Sequence, residues 1–383
     1  MIWLLVIAAG GIFLAVMGHI FFSPYRLGPA PASLLGKDFF LAPARRLPDM
    51  KLLIDGPEAF EKVLQDIAQA KKSLYIQTFI WKNDLFGQRM ADAVIEAADR
   101  GVKVEIAKDA LGTFFELMNK RPSLSPVFRD GRLKNHKNIR LSLNPFRIVD
   151  HSKYFITDKR KVTFGGMNIA DEYYSRWHDY MVSVDGEDVA AWFYAKTAGN
   201  GHWPEGAPFV IAANTRMSAD IRTAVMELLM SAKERLVLEQ AYFSSSMVLK
   251  KIEMALQRGV KVDIILPENP STHGPANRVA VNRLLASPYS DKLRCFNYPG
   301  MTHAKVMVAD GAKVCIGSAN MTPRSLHVSR ETVMLAHFNS DHPFLKALNH
   351  RLEEDIRLSR RIEAPFSIGP VEAIRAAAGK YIW

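Results

Sequence analysis

Apolar and polar positions along the chain follow two periods in turn. Phe60 to Ala70 carries the helical spacing, Ser73 to Ile80 (SLYIQTFI) reads as a strand, Arg89 to Asp99 as a helix and Val102 to Ile106 as a strand. The same order returns with Ile221 to Lys233 (helix), Leu236 to Phe243 (LVLEQAYF, strand), Met247 to Gln257 (helix) and Val260 to Leu266 (strand). RGVKVEI at Arg100 and RGVKVDI at Arg258 occupy the same place in this order, so the chain contains an internal repeat. Gly101 and Gly259 fit the residue just past a helix C-terminus, where a left-handed backbone costs glycine little. Strands alternating with helices predict an α/β fold of two pseudo-symmetric domains, with right-handed crossovers where strands run parallel.

The two ends are patterned differently. Residues 2 to 22, IWLLVIAAGGIFLAVMGHIFF, contain no formally charged side chain, and a helix of that length spans a bilayer's hydrocarbon. No basic n-region and no clear A-x-A site mark it as a cleaved signal, so it is expected to stay as one N-terminal transmembrane helix. Arg26, Lys37, Arg45, Arg46 and Lys51 follow it, which by the positive-inside tendency places the catalytic part in the cytoplasm as a single-pass inner-membrane protein. Pro24, Pro29, Pro31, Pro43 and Pro48 then suggest an extended connector near the membrane surface. The expected division is an anchor at 1–24, a Pro-rich linker at 25–49, and domains at 50–205 and 206–383. From Ile362 onward the pattern suggests a short connection and one amphipathic helix.

Composition narrows the partner but does not name it. A length of 383 residues suits two domains, and a formal charge of +11 favours an anionic partner: a phospholipid headgroup, a membrane surface or a nucleic acid. Cys295 and Cys315 are the only cysteines; both lie in strand-like runs, which predicts buried free thiols and neither a disulfide framework nor a thiolate metal site.

The chemistry is concentrated in two copies of one polar motif. DHSKYFITDKRKVTFGGMNIADEY supplies His151, Lys153, Asp158, Gly165, Gly166 and Asn168, and THAKVMVADGAKVCIGSANMTPRS supplies His303, Lys305, Asp310, Gly317, Ser318 and Asn320. Each member of the second set stands 152 positions after its counterpart, and the same offset relates Asp179 in RWHDY to Glu331 in SRET. A lone His-x-Lys would mean little, but two in-register copies do not arise by chance.

On a strand, residues i and i+2 share a face, so each half offers an imidazole beside an ammonium, a pair suited to phosphate. Two half-sites facing each other across the repeat interface would make one active site. One neutral histidine can attack phosphorus while the other, protonated, donates to the departing oxygen. Lys153, Lys305, Asn168, Asn320 and Ser318 are candidate ligands of the phosphate oxygens. Asp179 and Glu331 are expected to orient the imidazoles, each across the interface. Asp158 and Asp310, seven positions after the histidines, belong to the motif, but a turn or a buried ion pair accounts for them better than chemistry does.

These residues resemble the phospholipase D superfamily, whose pattern H-x-K-x4-D-x6-G-S/G-x-N occurs twice; the resemblance spans 50 to 340. Within it the chain is most similar to bacterial cardiolipin synthases, through GGMNIADEYYSRWHDY at Gly165 to Tyr180 and GSANMTPRSL at Gly317 to Leu326. Ser329 stands where Asn is common in that group. The resemblance implies two phospholipase D-type α/β domains and a reaction that needs no metal or other cofactor. It also implies a phosphohistidine on His151, His303 as acid and base, and transfer to a phosphatidylglycerol hydroxyl rather than water. The leading expectation is therefore a phosphatidyltransferase acting on anionic phospholipid at a membrane. The alternatives are a phospholipase D that hydrolyses phospholipid and a phosphodiesterase acting on nucleic acid. The last is disfavoured by the apolar segment and by the lack of an aromatic-interleaved basic strip. A non-enzymatic membrane-binding module would be expected only if a motif were broken, and both are intact. His178, beside Trp177, is open between lining the pocket and packing in the interface, and the sequence carries no signal of oligomeric state.

Overall fold

The computed structural model describes residues 28–36, 38–44, 46–118, 124–145, 149–199 and 207–382. Seven strands form a first sheet: β1 Asp49–Ile54, β2 Ser73–Thr78, β3 Lys103–Asp109, β4 Ile139–Asn144, β5 Tyr154–Thr157, β6 Lys161–Gly165 and β7 Tyr180–Asp185. Eight form a second: β8 Phe209–Ala213, β9 Arg235–Gln240, β10 Lys261–Pro267, β11 Leu293–Tyr298, β12 Lys305–Ala309, β13 Lys313–Gly317, β14 Thr332–His337 and β15 Arg360–Ile362. The first sheet runs β1-β7-β6-β5-β2-β3-β4 and the second, read from its far edge, β8-β14-β13-β12-β9-β10-β11-β15. Strand for strand this is one order used twice, with β15 added antiparallel beside β11. In each half three strands pair in parallel (β2-β3-β4 and β9-β10-β11) and the rest are antiparallel, so both sheets are mixed.

The helices explain where periodicity read short. The helix expected from Arg89 starts at Leu85, because the Asp84 carboxylate caps the Gly87 N–H at 2.9 Å. The helix expected from Phe60 covers Asp55–Gln69, its first turn carrying Asp55 and Glu58 rather than apolar residues. Gly101 and Gly259 do close their helices in the left-handed region, at φ 96° and 93°. The strand-like run around Cys295 is β11, whereas β4 has no expectation in the pattern, since IRLSLN mixes half-buried and exposed positions with no fully buried face. The C-terminal helix covers Pro370–Ile382.

Burial is arranged in layers. Leu236, Leu238, Val262 and Ile264 point into a core shared with outer helix residues such as Val225, Leu228 and Ile252, and Leu74, Ile76, Val104 and Ile106 do the same in the first half with Phe60, Met90 and Val94. The opposite faces meet: Ile156, Val162, Phe164 and Val182 of the first sheet form one apolar cluster with Val306, Val308, Val314 and Ile316 of the second. The two sheets are thus back to back, with the helices Glu187–Thr197 and Pro343–Leu358 packed into the same cluster and the helices of the two other cores outside, which brings the C-terminal part of one motif against that of the other. Cys295 and Cys315 are free and buried, inside the second sheet.

The Pro-rich stretch is docked rather than extended away. The Glu227 carboxylate accepts from the Ser33 hydroxyl and from the N–H of Leu34 and Leu35 (2.6 to 3.2 Å), and Leu35 is buried in the second core. The apolar segment 2–22, with the expected anchor, lies outside the described residues; among those described, no helix is long and apolar enough to cross a membrane.

Each motif forms a hairpin whose tight turn holds its aspartate. Asp158 and Asp310 have φ of 52° and 51°. The Asp158 carboxylate accepts from the backbone N–H of Lys71, Lys72 and Ser73 at 2.7 to 2.9 Å, and Asp310 accepts from Lys233, Glu234 and Arg235 at 2.8 to 3.3 Å. Those amides open strands β2 and β9. Burial opposes ionisation, but the backbone bonds at Asp158, and the Lys313 ammonium at 2.7 Å together with the backbone bonds at Asp310, outweigh it, and both carboxyls titrate below their usual range. Asp310→Ala strands three donors and should cost about 2 kcal/mol, read as a thermal midpoint several degrees lower; a lost activity with an unmoved midpoint would return these residues to the chemistry.

Candidate active site

The two histidines lie just ahead of β5 and β12, where the backs of the sheets end, and the chain ties them across the interface twice over. The His151 N–H donates to the Arg330 carbonyl at 2.9 Å, and the His303 N–H to the His178 carbonyl at 2.6 Å. These are pseudo-symmetric contacts, since Arg330 follows His178 by the motif offset. Side chains repeat the exchange: His151 Nδ1 is 3.0 Å from Glu331 Oε1, and His303 Nδ1 is 2.7 Å from Asp179 Oδ2. Each imidazole is therefore oriented through Nδ1 by the acid of the other half, and Lys305 Nζ lies 3.1 Å from His303 Nε2.

The supports of the two acids differ. Ser318 Oγ donates to Glu331 Oε2 at 2.6 Å and Ser325 Oγ donates to Oε1 at 2.7 Å. In the first half Gly166 replaces Ser318, and a Cβ there would lie 2.5 Å from both Asp179 oxygens, so the glycine is what admits that carboxylate. Ser318, expected on the phosphate, is thus spent on Glu331 and does not line the cleft; a hydroxyl next to a buried carboxylate satisfies the acid first. Ser325 belongs to the GSANMTPRSL run through which the chain resembles the cardiolipin synthases. Asn168 lines the cleft, but its Oδ1 accepts from the Ile80 N–H and its Nδ2 donates to Tyr173 Oη. Its counterpart Asn320 lines the cleft with Oδ1 buried and unpartnered. Asp158 and Asp310 are not brought to the cleft.

Electrostatics follow from burial. Desolvation pushes His151 down to about 4 and His303 well below the usual imidazole range, with the neighbouring lysines adding to it. Lys153 and Lys305, both buried, donate to the carbonyl of their own motif histidine, and burial lowers them to about 7 and about 8. Burial raises Asp179 to about 7. Burial would raise Glu331 too, but His151, Lys153 and Ser318 outweigh it and keep it ionised. Phe79 meets the His151 ring edge-on at 4.8 Å, Tyr173 meets His303 edge-on at 5.1 Å and Trp177 stacks on it at 5.6 Å. The histidines share one open cleft of about 490 Å³, lined also by Lys82, Glu172, Arg176 and Tyr242.

His178 packs in the interface. Its Nδ1 is 2.6 Å from Asp55, and its Nε2 is 3.2 Å from Asp355 and 3.6 Å from Glu239. Tyr180 Oη donates toward Glu239 and Asp355, and Arg351 pairs with Asp355 at 2.9 Å. His178, Glu239 and Asp355 have ligand atoms close enough for a metal ion, but the guanidinium and the phenol already occupy the acids. Burial opposes charge on His178, yet the surrounding carboxylates win and hold its pKa well above the usual value. An imidazolium thus sits directly under the peptide that carries His303.

A family model described as cardiolipin synthase, PLD-like domain, matches residues 63–198 and 225–356, one stretch in each half. The chain is 29% identical to cardiolipin synthase A of Pseudomonas syringae over 346 residues, covering 82% of this chain and 69% of that protein. It is 26% identical to the major cardiolipin synthase ClsA of Bacillus subtilis over 348 residues, 81% of this chain and 69% of that one. Among solved structures, phosphatidylserine synthase of Haemophilus influenzae matches with a TM-score of 0.72 at 15% identity, over 91% of this chain and 98% of that one. Polyphosphate kinase of Porphyromonas gingivalis matches with a TM-score of 0.58 at 15% identity, over 92% of this chain and 55% of that one. At these identities the structural likeness is one of fold.

His178→Ala leaves two buried acids, Glu239 and Asp355, and the partly exposed Asp55 facing one guanidinium and should destabilise the protein by about 3 kcal/mol. Urea unfolding measures it, and an unchanged midpoint would show that the network is not charged as described.

Proposed function

This chain belongs to the phospholipase D-like family described as cardiolipin synthase, PLD-like domain, and from that footing we propose that it is a phosphatidyltransferase of cardiolipin synthase type. It moves a phosphatidyl group to an alcohol, phosphatidylglycerol in this reading, through a phosphohistidine. As a member of the superfamily the chain is an enzyme. The observation that carries the finer reading is the pair of histidines whose Nδ1 atoms are each held by the other half's carboxylate, above one cleft.

In the first step His151 Nε2 attacks phosphorus; the N–P bond forms as the bond to the departing alcohol oxygen breaks. His303, protonated as the anionic phosphate settles beside it, gives its Nε2 proton to that oxygen. Neutral His303 next takes the proton of the acceptor hydroxyl, whose oxygen attacks phosphorus and expels His151. Glu331 is the better-supported anion, held by two serine hydroxyls, and its partner His151 is the ring that carries positive charge while phosphorylated. Asp179 supports the ring that gains and loses a proton, and its pKa near 7 suits exchange. Lys153, Lys305 and Asn320 hold the non-bridging oxygens in this scheme, with Asn168 lining the same wall. Asp158 and Asp310 hold the strands that carry them.

The low imidazole pKa values keep both rings neutral before substrate binds, which a nucleophile needs. The anion raises that of His303 when it arrives. Residues 2–22 anchor the enzyme as a single pass in the inner membrane with this cleft on the cytoplasmic side, in the same reading, and the +11 charge draws it to anionic lipid.

Purified protein incubated with labelled phosphatidylglycerol in EDTA tests this. Cardiolipin should form with the wild type, and His151→Ala should lower turnover about a thousandfold or more. Phosphatidic acid alone would mean hydrolysis, and no lipid turnover would direct the assay to oligonucleotides. The same assay run against pH should show kcat/KM falling as pH rises through about 7 to 8, where Lys153 and Lys305 lose their charge. A limb near pH 10 would mean that ordinary, solvated lysines bind the phosphate.

A further inference from the structure

Building on the transfer reading, we propose that Lys82 and Arg176 form a second anion subsite at the rim of the catalytic cleft. It takes the phosphodiester of the acceptor phospholipid while that lipid's free glycerol hydroxyl reaches His303.

The charge balance of the cleft points there. Behind the two histidines that line it lie the buried Lys153 and Lys305 against Asp179 and Glu331, a balanced set to which one protonated histidine adds the single positive charge that matches one phosphodiester. Its wall carries Glu116, already paired with the buried Lys108 at 2.7 Å. The rim carries two cations, Lys82 and Arg176, around the single carboxylate of Glu172. One positive charge is left over, outside the reacting centre but inside the same cleft. Water needs no such charge, whereas a phospholipid acceptor brings a second monoanion beside the phosphate already bound. Two like charges in a poorly solvated cleft repel unless each has its own counter-charge.

Position agrees with charge. Arg176 immediately precedes Trp177, whose ring stacks on His303, and the backbone N–H groups of both residues donate to the Glu172 carbonyl at 3.1 and 2.8 Å. The guanidinium therefore belongs to the same turn as the wall of the acid and base, the histidine that deprotonates the acceptor. Lys82 is fixed opposite, its N–H bound to the Ile169 carbonyl at 2.9 Å. A phosphoglycerol headgroup separates its free hydroxyl from its phosphate by a three-carbon spacer, which suits a hydroxyl at His303 and an anion at the rim.

A purely structural role does not account for Arg176. Its contact to Glu172 is long, 3.7 Å, and its side chain is 66% exposed, so the ion pair adds little to stability. Lys82, by contrast, is tightly paired with Glu172; that pair fixes the carboxylate and leaves the guanidinium free to meet a ligand.

The test compares two acceptors in EDTA, phosphatidylglycerol and free glycerol, with one labelled donor phospholipid, for the wild type, Arg176→Ala and Arg176→Lys. Glycerol offers the same hydroxyl without the phosphate. Arg176→Ala should reduce the preference for phosphatidylglycerol over glycerol about tenfold, through KM for the lipid acceptor, and Arg176→Lys should recover part of it. Raising salt should erode the wild-type preference and spare that of Arg176→Ala. An unchanged preference in Arg176→Ala overturns the subsite, and so does an equal loss with both acceptors, which would assign the guanidinium to the donor phosphate. A wild type that transfers to neither acceptor fails the transfer reading itself and takes the subsite with it.

Discussion

Everything in this molecule that bears on chemistry depends on one exchange across the interface of the two halves: each histidine is oriented by a carboxylate that belongs to the other. His151 with Glu331 and His303 with Asp179 are intermolecular-like contacts made within one chain. Neither half could present a correctly oriented imidazole alone. The back-to-back packing of the sheets is therefore part of the active site, because a small slip at the Val162–Val314 cluster would move each histidine away from its acid. This also gives the buried charge under His303 its purpose: His178, Asp55, Glu239, Asp355 and Arg351 span both halves and fix their relative position with directional contacts that apolar packing lacks.

The same packing sets the protonation states. Two ammonium groups and two imidazoles are buried together at the meeting of two sheets, and the cost of charging them there is what lowers His151 to about 4 and Lys153 to about 7. Stability and reactivity are opposed at this point. An arrangement that favoured the folded state alone would replace this cluster with apolar side chains, and in the proposed reaction an arriving phosphate supplies the missing negative charge.

Much of this was legible in the sequence, because a duplicated motif encodes its own geometry. The constant offset of 152 positions nominated not only the histidines and lysines but also Asp179 and Glu331, far from them in the chain. Pairing across the interface followed from the need for two half-sites to face each other. What the pattern could not carry was which partner a given polar atom would choose. Ser318 lies in the motif beside residues that line the cleft, yet its hydroxyl is within reach of a buried carboxylate and goes there. His178 could not be assigned, since its three acids come from separate stretches near residues 55, 239 and 355. The docking of Leu35 through Glu227 was hidden for the same reason: the prolines mark an irregular path but not what the path lies against.

Duplication alone would give two equivalent histidines, and a two-step displacement needs inequivalent ones. The inequality is found at the residue beside each acid. Gly166 gives Asp179 no hydroxyl donor and burial raises its pKa to about 7, while His151, Lys153 and Ser318 keep Glu331 ionised. A carboxylate that stays charged stabilises a ring bearing a lasting positive charge, as a phosphorylated imidazole does. A carboxylate poised near neutrality suits a ring whose proton must leave and return. The two halves thus hold the same residues around the two histidines and differ one layer away, which is the asymmetry that the proposed two-step transfer requires of a symmetric fold.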